Sequence, residues 1–169
     1  ARTFQITSIV AGFTTLENVA LAAQARAGTS FRFWGRAAAE TALNDRARAA
    51  LAEVGLEHRA LVPAGALAHG EKRALELAIA LALAPRVLVL DEPMAGVGVE
   101  EGARLVDLLQ RLKAKLAMLL IEHDMATVFR LADRVSVLVY GRVIASGTPA
   151  EVRADPAVRE AYLGEETAL

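Results

Sequence analysis

Apolar residues recur at helical spacing through the first half of the chain and gather into short continuous runs in the second. From Thr15 to Arg26, Leu16, Val19 and Ala20 share one helical face, and Thr14 or Thr15 is placed to cap it. Alanine, leucine and arginine keep the same period from Ala37 to Val54. Gly55-Leu56 then reads as a helix stop, the glycine left-handed and the leucine packing back. After a loop around Pro63, a helix is predicted from Glu71 to Ala84, almost wholly apolar beyond Glu76 and ending before Pro85. A helix with no polar face must be buried, which holds its amino end rigid.

Val87-Leu88-Val89-Leu90 has no polar gap and predicts a central strand buried on both faces. Val99 to Lys113 is amphipathic, with Leu105, Leu108, Leu109 and Leu112 inward, and Leu116 to Ile121 predicts a second buried strand. A helix from Met125 to Ala132, strands Val135 to Tyr140 and Val143 to Ala145 around a turn at Gly141, and helices after Pro149 and Pro156 complete the pattern. Strands alternating with helices predict a mainly parallel α/β sheet, in which ligands sit outside the carboxyl ends of the strands.

Composition narrows this picture modestly. A chain of 169 residues suffices for one domain, or for one domain with a lobe. No apolar stretch approaches the roughly 18 residues of a membrane span. There is no cysteine, hence no disulfide or thiolate metal site, and no signal peptide opens the chain; the expected location is cytoplasmic. A net charge of −1 gives no electrostatic footprint for DNA or RNA, and no nucleic acid partner is expected. Phe31, Phe33 and Trp34 are concentrated between Gly28 and Gly35, either as a small satellite core or as an apolar knob for a partner subunit.

The candidate chemistry stands at the strand ends. Asp91 and Glu92 follow the first apolar run directly, and Glu122-His123-Asp124 follows the second. A carboxylate at the mouth of a buried strand needs a cation, a donor or a proton, although either acid could instead cap the next helix and His123 could be structural. Attack of water on a phosphoryl group needs a carboxylate-held Mg²⁺, a group to orient or deprotonate the water, and a donor for developing charge. Asp91, Glu92 and His123 have the chemistry for those roles in that order. Gly70, just before the apolar helix, would let a phosphate approach the free N–H groups of its amino end.

The ordered motifs resemble the nucleotide-binding subunit of ABC transporters. Gln5 resembles the Q-loop glutamine, Leu67 to Glu71 (with Ala68, His69 and Gly70) the signature sequence, and Val87 to Glu92 the Walker B strand. Ala95 to Gly98 resembles the D-loop and His123 the switch histidine. The resemblance implies a partial P-loop NTPase fold of α/β class, mainly parallel, with an α-helical subdomain at about 12–84 and a RecA-like core portion at about 85–169. It implies ATP and Mg²⁺: Asp91 binds the metal through water, Glu92 is the catalytic carboxylate, Gln5 senses metal and γ-phosphate, and His123 contacts the γ-phosphate. It also implies a homo- or heterodimer with ATP between the subunits, transmembrane permease subunits, indirectly a solute-binding protein, and a place on the cytoplasmic membrane face.

Further segments resemble the ATP-binding subunits of branched-chain amino acid importers. They include Arg2-Thr3-Phe4-Gln5, Ile121-Glu122-His123-Asp124-Met125, Gly147-Thr148-Pro149 and Ala161-Tyr162-Leu163-Gly164. A urea or short-amide importer is the close alternative, and a catalytically inert interaction domain derived from such an ATPase is the other. The sequence departs from the family in three places. It contains no Gly-Lys pair, so the phosphate-cradling loop and its N-terminal strands are missing, and residues outside this sequence are expected before Ala1. Ala68 replaces the usual signature serine and Gly98 a common D-loop aspartate. The 169-residue chain alone is therefore expected neither to bind ATP tightly nor to hydrolyse it; calorimetric titration should show no submicromolar affinity, and finding one would contradict this.

Overall fold

The computed structural model describes residues 9–27 and 41–163. Gln5, the aromatic cluster Phe31, Phe33 and Trp34, and the start of the Ala37 helix lie outside the described residues. The chain divides into two compact units, Ala1–Ile121 and Glu122–Leu169. No helix among the described residues is long and apolar enough to cross a membrane.

The first unit begins with α1 (Thr15–Ala27), whose cap is Thr14. The Thr14 hydroxyl accepts the Glu17 N–H (3.1 Å), and Glu17 Oε2 accepts the Thr14 N–H (2.7 Å), so two orphan donors are satisfied reciprocally. Buried Asn18 ties the preceding loop to α1, accepting the Val10 N–H (2.9 Å) and donating to the carbonyls of Val10 (3.1 Å) and Thr14 (2.9 Å). The second helix, α2 (Thr41–Glu53), ends as the sequence predicts. Gly55 adopts φ 77°, its N–H donates to Ala52 O (3.1 Å), and the N–H of buried Leu56 reaches Leu51 O (2.8 Å).

The third helix, α3 (His69–Ala82), starts two residues earlier than expected. Fully buried Val19, Leu51 and Leu75 meet in one core built from α1, α2 and α3. Burying each such side chain contributes about 1.5–3 kcal/mol. That core fixes where α3 begins.

Beyond α3, β1 (Val87–Asp91) pairs in parallel with β2 (Ala117–Ile121), from Val87 opposite Ala117 to Asp91 opposite Ile121. Between them α4 (Val99–Lys113) matches the predicted span and buries Val106, Leu108, Leu109 and Leu112. The expectation that both strands are buried on both faces is corrected. Leu88 and Leu90 are buried, but Val87 (48% exposed), Leu119 (55%) and Ile121 (46%) share a face that no element among the described residues covers. Continuous apolar sequence reports what each face suits, and only one face is covered here.

In the second unit α5 (Met125–Leu131) precedes an antiparallel hairpin of β3 (Val135–Val139) and β4 (Arg142–Gly147). Tyr140 and Gly141 both have positive φ, 48° and 76°, as a tight turn matching strand twist requires. Two short helices follow, α6 (Pro149–Ala154), capped by Thr148 and Glu151, and α7 (Pro156–Val158). Val152 and Val158 join Val128, Val135 and Val137 in a small core.

Candidate functional site

Asp91 is the last residue of β1, and the Glu92 N–H donates to Ile121 O (2.9 Å), extending the parallel ladder one residue past the strand. Glu92 then turns the chain at φ 45°, a left-handed conformation that costs a non-glycine residue about 1–3 kcal/mol. The Ala95 N–H closes the turn on Glu92 O (3.1 Å), and Pro93 behind it is buried. Both carboxylates are half-buried and both have backbone positions fixed by the sheet. The capping alternative fails for the next helix, because the N-cap of α4 is Gly98.

Among the described residues no three or more His, Asp or Glu side chains gather to hold a metal ion. An adjacent carboxylate pair still fits Mg²⁺, which takes one or two protein carboxylates and completes its shell with phosphate and water.

The amino end of α3 is assembled by a different device. Ala68 occupies the N-cap but has no side-chain oxygen, so it can satisfy none of the first-turn N–H groups. What survives is the return half of a capping box: Glu71 Oε2 accepts the Ala68 N–H (2.9 Å). Glu71 is also gripped by Arg59, through Nε (2.8 Å) and Nη2 (3.1 Å). The Arg59 hydrogen bond, with help from the Ala68 N–H, holds the Glu71 carboxyl below the usual carboxylate range despite some desolvation.

Leu67 is buried beneath this start and Ala68 and His69 are exposed. The His69 Nε2 would lie 3.5 Å from a Cβ placed on Gly96, so the start of α3 stands beside the turn that follows Glu92. Gly70 faces the carboxylate of Glu101, whose atoms would be 2.6–2.9 Å from an added Cβ.

His123 belongs to the second unit. Its side chain is 74% exposed, with Nδ1 3.9 Å from Oε2 of Glu122, whose side chain is only 1% exposed. Asp124 is a cap: its Oδ2 accepts the Thr127 hydroxyl (2.6 Å) and its Oδ1 the Ala126 N–H (3.0 Å). The Thr127 hydroxyl, foremost, holds the Asp124 carboxyl below its ordinary value.

Sequence reasoning singled out Asp91, Glu92 and the region where α3 begins, two residues late at Glu71, and did not single out Arg59 or Glu101. An acidic residue in the first turn of α4 signals only a favourable helix dipole, and nothing in the sequence spacing pairs position 101 with position 70. Arg73 and Glu76 were also missed. They pair at 3.0 Å beside Leu77, Leu90 and Pro93, leaving Arg73 Nε and Glu76 Oε1 buried without a hydrogen-bond partner.

Comparison with known proteins supplies the family. A model described as ABC transporter matches residues 2–95, and one described as branched-chain amino acid ATP-binding cassette transporter matches residues 142–168. The chain belongs to the ABC transporter family of ATP-hydrolysing enzymes.

It is 39% identical to the high-affinity branched-chain amino acid transport ATP-binding protein LivG of Salmonella typhimurium, over 97% of this chain and 67% of that protein. BraF of Pseudomonas aeruginosa, described in the same words, is 36% identical with the same coverage. Among solved structures, an ATP-binding cassette of an ABC transporter in its ADP conformation superposes with a TM-score of 0.80 at 31% identity, covering 97% of this chain and 68% of that one. This ABC ATPase piece is thus a partial P-loop NTPase fold.

The Arg59–Glu71 pair has a pH signature. Because the folded-state pKa of Glu71 is depressed, its stabilisation is present above the unfolded-state value and is lost as pH falls through the folded one. Both side chains are partly exposed, 36% and 24%, so Glu71→Gln should cost only about 1 kcal/mol at neutral pH. Urea unfolding of wild type and variant should show that difference shrinking below about pH 4.

Proposed function

We propose that this chain is the carboxyl-terminal part of an ATPase subunit that powers an importer of branched-chain amino acids. The observation that carries the reading is the end of β1, where sheet pairing and the left-handed turn at Glu92 present two consecutive carboxylates beside a strand edge. The identity to LivG and BraF across 97% of the chain favours this importer class. Lipopolysaccharide export is the weaker reading: LptB of Escherichia coli is 33% identical over 74% of this chain and 52% of that protein.

In this reading Asp91 would hold Mg²⁺ through water, and Gln5, outside the described residues, would sense the metal and the γ-phosphate. Mg²⁺ when bound supplies positive charge that offsets the phosphates. Glu92 would orient the attacking water and take its proton as the new phosphorus–oxygen bond forms and the bond from the γ-phosphorus to the β–γ bridging oxygen breaks, with ADP leaving. His123, exposed at the start of the second unit, donates a hydrogen bond to the γ-phosphate. Leu67, Ala68, His69, Gly70 and Glu71 face nucleotide held by a second ATPase subunit, and Gly98 belongs to the loop that communicates across that dimer. With no hydroxyl on Ala68, the recognition of phosphate falls to the first-turn N–H groups of α3.

The assembly would be a homo- or heterodimer docked on transmembrane permease subunits at the cytoplasmic face of the membrane, with a solute-binding protein as an indirect partner. The division into a helical subdomain at about 12–84 and a core portion at about 85–169 belongs to the same proposal.

The test is Glu92→Gln in the full-length protein with its partner. ATP binding should persist, because the metal keeps Asp91, while steady-state turnover falls by about 10²–10⁴. Unchanged turnover would mean that Glu92 is not the carboxylate that activates water.

A further inference from the structure

Arg73 and Glu76 lie one turn apart on α3 and pair at 3.0 Å, with side chains only 13% and 9% exposed. On a solvated face such a pair would be an ordinary surface contact, but this one is buried, and Arg73 Nε and Glu76 Oε1 find no hydrogen-bond partner among the described residues. Stability does not account for it, because a buried ion pair regains little beyond its own desolvation cost and well-packed apolar side chains often do as well or better. What the pair supplies is a fixed geometry. It lines a small cavity together with Leu90 and Pro93, which bracket Asp91 and Glu92, and with Leu105 and Leu109 of α4. Pro93 has no N–H to donate, so its place depends on what packs around it. It directly follows Glu92, whose left-handed φ of 45° persists only where the surroundings over-determine it.

We propose that Arg73 and Glu76 are positioning residues for the Glu92 carboxylate. This role rests on the reading of Glu92 as the group that activates water. The ion pair locks two long side chains into one arrangement beside Leu90 and Pro93, so the turn after β1 has one seat and the Glu92 carboxylate one direction. Asp91 does not depend on the pair in the same way, because the β1 ladder already holds it opposite Ile121. Loss of the pair therefore leaves the metal-holding carboxylate in place and lets Glu92 drift. A displacement of about 1 Å at a group that must meet the reacting atoms costs turnover far more than it costs ATP affinity.

The measurement compares single-turnover ATP hydrolysis with ATP binding in the full-length protein and its partner. Arg73→Met and Glu76→Met, made together, replace the pair with apolar side chains. The urea midpoint should stay equal or rise, ATP affinity should stay within about twofold, and hydrolysis should fall roughly ten- to hundredfold. A merely structural role would lower the urea midpoint and would not separate turnover from binding. Added to Glu92→Gln, the same double substitution should cause no further loss, since a misplaced carboxylate and a missing one leave the same defect. If the double substitution prevents folding, Glu76→Gln, which keeps the shape and weakens the pair, carries the same two expectations for hydrolysis and binding. Full turnover in a folded variant, or a loss that multiplies that of Glu92→Gln, would overturn the positioning role alone. Unchanged turnover in Glu92→Gln by itself would overturn the functional reading and this role with it.

Discussion

The amino end of α3 is the constraint around which the first unit is arranged. A helix start leaves N–H groups without intrahelical acceptors, and proteins ordinarily satisfy them with a serine, threonine, aspartate or asparagine cap. Here Ala68 satisfies none of them from its side chain. The deficit is tolerated because the helix does not depend on its cap: Leu75, Leu77, Ala78, Ala80 and Ala82 are buried against the core. Arg59 and Glu71 then fix the turn from the flank without filling it. Stability comes from packing, and the amino end of α3 owes its order to the core beneath it.

The β1 end follows a related logic. The sheet orders Asp91 and Glu92 through the backbone, by register and by the Glu92 N–H on Ile121. The positive φ at Glu92 is a local cost that an ordinary turn would avoid by using glycine. In the proposed function, both places put backbone order at the service of groups that would meet a phosphate or its metal. The start of α3 lies beside both the turn after the carboxylates and the first turn of α4, as His69 near Gly96 and Glu101 near Gly70 show.

Much of this was legible in the sequence wherever local rules govern. Val99 to Lys113 appears in the pattern of leucines, and Gly55-Leu56 declares its helix stop, because both depend on neighbours within a few residues. Asp91 and Glu92 stood out because carboxylates after an apolar run conflict with burial. What stayed hidden depends on distant partners. Arg59 gripping Glu71, Glu101 covering Gly70 and the buried pair of Arg73 and Glu76 have no spacing that announces them. The exposed face of Val87, Leu119 and Ile121 was misread because apolar sequence states a preference and not an outcome.

The most direct test of the account is a crystal structure of the full-length Glu92→Gln protein with ATP and Mg²⁺. The account predicts a dimer in which Asp91 lies in the water shell of the metal and the γ-phosphate held by one subunit meets the Gly70 end of α3 in the other. Nucleotide enclosed within one subunit, with Gly70 turned to solvent, would contradict it.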